Sequence, residues 1–167
     1  MLLKTHTAVG LVVALYFLPY VVNKVIFVPL VLLASTLPDI DSGYSNIGKY
    51  KVFRPIQMLS NHRGIFHTYT MCIAISVLLA LFYPIFALPF FLGYSFHLIL
   101  DSFTPKGIRP FWPFKARVEG KIKTGGPIDT TIFYVCLIFA AALLINLFLW
   151  RIDDYTWSRQ FKDLYSK

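Results

Sequence analysis

The chain is 167 residues long, 57% hydrophobic and only 14% charged, with a mean hydropathy of +0.63. A water-soluble bundle of this size cannot bury that much apolar surface, so the composition excludes an ordinary soluble globular domain and indicates a small integral membrane protein. The formal net charge of +8 lies between and beyond the apolar runs, where it bears on orientation in the bilayer; no nucleic-acid partner is expected, because no nucleic-acid fold pattern accompanies it.

Met1 to Lys4 followed by an apolar run looks like the start of a signal peptide, but no small-x-small cleavage pattern follows, and the segment reads as an uncleaved first membrane helix. Apolar runs cover residues 5–23, 25–38, 68–100 and 130–150. The third is too long for one crossing and holds Pro84 and Pro89, so it is expected to fold as a hairpin breaking around Tyr83-Pro84. The result is an all-α, polytopic membrane helical bundle of about five transmembrane helices with two cytoplasmic loops. Residues 1–150 form its membrane-embedded domain and residues 151–167 a short polar tail. Several runs are short against the roughly 20 apolar residues of a full crossing. Small tilt, a thinned bilayer, polar helix ends or a re-entrant hairpin would each accommodate them.

Eleven of the 16 Lys and Arg residues lie before the first helix or in the two long loops, 39–67 and 101–129. The positive-inside rule puts those segments in the cytoplasm and the tail outside. In the second loop, basic residues alternate with Phe111, Trp112, Pro113 and Phe114, a composition suited to aromatic rings at headgroup depth and lysines on anionic lipid.

The four histidines, His6, His62, His67 and His97, all lie at the edges of apolar runs. His6 opens the first helix, Asp39 and Asp41 close the second, His62 and His67 precede the third, and His97 and Asp101 close the fourth. Seven residues that ligate divalent metals thus fall on one membrane face, where the mouth of a bundle can gather them. His97 and Asp101, four apart, share one helix face. The spacing is weak evidence alone, since a histidine at a helix end and an aspartate paired with a loop lysine would look the same. Asp39 and Asp41 could instead be a solvated turn with Ser42 and Gly43, but carboxylates at a membrane edge are usually functional. Arg63 cannot ligate a cation; it suits a bidentate grip on phosphate or carboxylate, against the plainer role of a topogenic charge. Cys72 and Cys136 lie inside apolar stretches and are assigned no role.

These pieces together resemble a known family. Thr5-His6-Thr7, Leu37-Pro38-Asp39-Ile40-Asp41, His62-Arg63-Gly64-Ile65-Phe66-His67-Thr68, and His97-Leu98-Ile99-Leu100-Asp101 running on to Trp112-Pro113-Phe114 are similar, in order and spacing, to the bacterial and archaeal inner-membrane metal-dependent hydrolases, also described as LexA-binding, inner-membrane-associated hydrolases. The resemblance covers about the first two-thirds of the chain and implies a metal-dependent hydrolase on the motif positions, in the cytoplasmic (inner) membrane, with no substrate specified.

The expected function is hydrolysis of an ester or phosphoester in a lipid or lipid-linked substrate by metal-activated water. His6, Asp39, Asp41, His62, His67, His97 and Asp101 would hold one or two divalent ions of zinc, manganese or iron. Asp41 would act as general base and Arg63 as phosphoryl clamp. The alternatives are a divalent-metal transporter or sensor, which would require polar groups along the helix interiors where there is little beyond Asn146 and Ser76, and a non-catalytic membrane anchor for a regulatory partner.

Overall fold

The structure, a computed structural model, describes residues 1–41 and 65–165, with side chains described for residues 1–39 and 65–150. It is all-helical. Five α-helices are present among these residues: α1 (Leu3–Phe17), α2 (Lys24–Ala34), α3 (Tyr69–Phe82), α4 (Pro84–Ser102) and α5 (Pro127–Tyr165). Short 3₁₀ turns follow α1 (Leu18–Tyr20) and α2 (Leu37–Asp41) and precede α3 (Ile65–His67).

The hairpin breaks where the sequence places it. Tyr83, at φ −143° and ψ 67°, is out of the helical region, as a residue before proline is pushed to be. Pro84 then opens α4 at a first-turn position where its missing N–H leaves no bond unmade. At the other end of α3, the Thr68 side chain accepts the Met71 N–H at 3.1 Å. This N-cap starts the helix immediately after His67.

Among the described residues two helices are long and apolar enough to cross a bilayer, α4 with 19 residues and Pro127–Trp150 of α5 with 24. They differ in burial. The α4 window is 56% buried within the protein and that of α5 only 6%, so α4 is the central strut and α5 a peripheral, lipid-facing helix. At 15 and 11 residues, α1 and α2 rise about 22 and 16 Å, each lengthened by its 3₁₀ turn. The helical backbone of α5 continues through the polar tail to Tyr165.

Helix α4 packs against α1, α2 and α3, and α5 packs along α1. One buried cluster joins Ala34, Cys72, Phe90, Tyr94 and Leu98; a second joins Val13, Ala14, Phe27, Val31 and Leu92. Both cysteines are free, Cys72 within the first cluster. Between the clusters α4 meets α2 at Gly93, where a Cβ would lie 2.3 Å from the Val31 carbonyl oxygen and 2.8 Å from the Ala34 Cβ. Only a glycine lets the two backbones come this close, and the contact sets the height of α4 against the end of α2. Gly93→Ala is therefore expected to destabilise the protein by about 1–3 kcal/mol, visible as a lower thermal midpoint in detergent. An unchanged midpoint would mean that α2 and α4 are not so closely seated.

Candidate metal centre

One turn beyond Gly93 on the same face of α4 stands His97. Its Nδ1 lies 2.7 Å from the Ser35 carbonyl oxygen at the end of α2. A carbonyl only accepts, so Nδ1 carries the proton, and in the neutral ring Nε2 presents its lone pair to the bundle interior. That Nε2 is buried, makes no hydrogen bond, and lies 3.9 Å from both Asp39 Oδ1 and Asp101 Oδ2. His67, on the 3₁₀ turn before α3, completes the group with Nε2 3.8 Å from the same two oxygens.

Asp39, His67, His97 and Asp101 thus offer ligand atoms that all lie within 4.8 Å of one another. The four come from three separate places in the chain: the turn after α2, the turn before α3, and the end of α4. Metal–ligand bonds of about 2.1 Å hold neighbouring donors roughly 3–4 Å apart, so the spacing and the imidazole–carboxylate chemistry fit a divalent ion. The Ser35 carbonyl is the kind of outer partner that orients a ligating histidine.

Asp101 divides its oxygens. Oδ2 faces His67 and His97, whereas Oδ1 lies 3.3 Å from His6 Nε2 and 2.5 Å from the Met1 amine. The His6 ring stacks on His97, with centroids 3.9 Å apart and planes 16° from parallel. His6 therefore flanks the four-residue cluster, touching one ligand by its ring face and another by its Nε2. Of the four, Asp39 is the most accessible, at 20% exposure against 1% or less for the other side chains. Burial pushes its pKa up, but the neighbouring His67, His97 and His6 together outweigh that effect, so the carboxyl sits below its ordinary pKa. Asp39 marks the side from which a ligand can approach.

A second buried carboxylate holds the frame. Asp129, in the first turn of α5, accepts the Thr5 hydroxyl at 2.7 Å on Oδ1, and on Oδ2 the backbone N–H groups of Leu2 at 3.1 Å and Gly125 at 2.7 Å. It thereby ties the start of α1 to the start of α5 and fixes the turn of α1 that carries His6.

Residues 1–159 match the family model described as YdjM inner membrane protein. The chain belongs to the YdjM inner membrane protein family. It is 30% identical over 137 residues to the inner membrane protein YdjM of Escherichia coli strain K12, an alignment covering 75% of this chain and 64% of that protein; its Shigella flexneri counterpart matches to the same extent. The chain thus spans about 64% of the length of these curated relatives. No solved structure matches it. Together with the apolar helices, membership of the YdjM family makes this an integral inner membrane protein.

Of the seven ligand candidates read from the sequence, the structure brings Asp39, His67, His97 and Asp101 together and sets His6 beside them. Asp41 has only its backbone described, and His62 and Arg63 lie outside the described residues. Sequence reasoning missed Asp129 and the Ser35 carbonyl. The available signal for Asp129 was its position two residues after Pro127 at the mouth of the last apolar run, where a first-turn acid can reach back to free N–H groups. Asp129→Ala removes the acceptor of three donors, the buried Thr5 hydroxyl and the part-buried N–H groups of Leu2 and Gly125. It should cost about 2–4 kcal/mol, measured as loss of thermal stability in detergent; a melt matching the wild type would show that the α1–α5 tie is dispensable.

Proposed function

We propose that this protein is a membrane-embedded metal-dependent hydrolase acting on an ester or phosphoester of a lipid or lipid-linked substrate. The observation that carries the reading is the buried cluster of two imidazoles and two carboxylates, with the His97 lone pair aimed into it and bonded to no hydrogen. Unpartnered buried polar atoms are costly, and a divalent ion of the zinc, manganese or iron class satisfies all four residues at once.

When bound, such an ion supplies Lewis acidity and lowers the pKa of a coordinated water to about 7. The chain contributes the rest. Ser35 fixes the His97 tautomer, His6 orients Asp101 from the side away from the cluster, and Asp39 borders the approach. Arg63 grips the phosphoryl oxygens through its planar fork. With one ion bound, Asp41, two residues beyond Asp39 and not bound to the metal, takes the proton from the attacking water; with two ions, Asp41 and His62 would instead serve as donors to the second. In this reading the five helices form a polytopic bundle in which α1, α2 and α3, too short for a full crossing without tilt or bilayer thinning, seat their polar ends within the interface. The excess of Lys and Arg directs the N-terminus and the site to the cytoplasm.

Two measurements test this. Protein purified in detergent without chelator should carry at least one equivalent of transition metal by elemental analysis, and His97→Ala and Asp101→Ala should each lose it. Absence of metal from the wild type would end the proposal. Arg63→Lys keeps the charge but loses the fork, so phosphoesterase activity should fall by about 10- to 1,000-fold with metal content unchanged. Full activity would return Arg63 to a topogenic charge, while metal flux without hydrolysis would favour a transporter.

A further inference from the structure

Between α4 and α5 the chain runs through residues 103–126 without regular secondary structure, yet it is tightly held. Ile108 and Val118 exchange backbone hydrogen bonds of 2.9 Å in both directions. The Thr104 carbonyl accepts the N–H groups of Gly107 and Gly120, and the Phe103 carbonyl that of Ile122. Gly107, at φ +53°, lies so close to Val118 that a Cβ would meet its carbonyl oxygen at 2.1 Å. The far end is fastened to the first turn of α3, where Tyr69 N–H donates to the Pro110 carbonyl at 2.7 Å and the Thr70 hydroxyl to that of Trp112 at 3.1 Å.

This fixed loop presents apolar surface outward. Phe111, Trp112 and Phe114 are 58%, 54% and 71% exposed. They hang from the end of the bundle where α3 begins, α4 ends and α5 begins, the level at which the apolar span of α5 starts. Lys106, Arg109, Lys115, Lys121 and Lys123 are exposed along the same loop. Its one acid, Glu119, is paired with Arg117 at 3.3 Å. Rings that would be unfavourable in water, flanked by cations that have no ion pair among the described residues at the end of a membrane span, fit a layer that is apolar below and anionic above.

We propose that the loop tip 109–115 binds anionic phospholipid, with Phe111, Trp112 and Phe114 inserted just below the headgroups and Arg109 and Lys115 paired with lipid phosphates. This surface lies outside the metal cluster and does not depend on what the cluster does. It has a consequence for it all the same. The loop is bonded to Tyr69, two residues after His67, and begins two residues after Asp101, so lipid engagement holds the cluster at headgroup depth, where a lipid headgroup arrives by lateral diffusion.

The test uses the full chain in liposomes with Trp112 as the single tryptophan, Trp150 and Trp157 being changed to Phe. Emission should be quenched more by phospholipid spin-labelled near the headgroup than near the chain end. At equal mole fraction, labelled phosphatidylglycerol should exceed labelled phosphatidylcholine by about threefold or more. An Arg109→Gln, Lys115→Gln pair should remove that excess while the shallow quenching remains. Quenching by aqueous acrylamide with no response to either lipid would place the loop in water or against another protein and overturn the proposal. Equal quenching by the two lipids would overturn the headgroup preference. A variant keeping only Trp150, quenched by either labelled lipid, confirms that the protein is folded and inserted.

Discussion

A carboxylate withdrawn from water inside an apolar bundle must be surrounded by donors or cations, because its desolvation is not otherwise offset. In this chain that constraint fixes where the helices meet. Asp101 at the end of α4 gathers His67 and His97 on one oxygen and His6 with the Met1 amine on the other, while Asp129 gathers Leu2, Thr5 and Gly125. Both acids bond the start of α1, and α4 and α5 are registered through it.

The apolar packing serves the same geometry. Gly93 removes the side chain that would part α4 from α2, and the resulting contact delivers His97 to the Ser35 carbonyl one turn later. Neither feature suffices alone. Without the close approach His97 would not reach Ser35, and without that bond the ring could turn its Nε2 away from Asp39 and Asp101. The site depends on backbone proximity set by shape, followed by a tautomer set by a hydrogen bond.

The peripheral helix and the loop before it have another character. Little of α5 is buried within the protein, so most of its apolar side chains face lipid; it packs along α1 and its first turn is tied to the bundle through Asp129. The loop leading into α5 is rigid in its backbone but exposed in its side chains. It is held by the Phe103 and Thr104 carbonyls just after α4 and by the Tyr69 N–H and Thr70 hydroxyl of α3, leaving its aromatic rings for the surroundings. Buried acids at the core and exposed aromatics at the rim thus lie at the same end of the molecule.

Much was legible in the sequence for plain physical reasons. Histidine and aspartate are so scarce beside apolar runs in this chain that four histidines and three aspartates stood out as ligand candidates, and Pro84 fixed the hairpin break because the residue before a proline leaves the helical region. The scarcity that exposed Asp39, His67, His97 and Asp101 could not say which would meet. Their convergence depends on the order in which helices pack, and no spacing along the chain encodes it. The Ser35 carbonyl was invisible, since every residue has one, and Gly93 resembled any other small residue in a membrane helix until a neighbouring backbone was found against it. Asp129 bonds residues up to 127 positions away. Sequence by itself determined the membrane class, the hairpin and the ligand types, because composition and local backbone sterics act at short range. Tertiary structure alone decided the cluster, the histidine tautomer and the α1–α5 tie, because these arise from contacts between segments far apart in the chain.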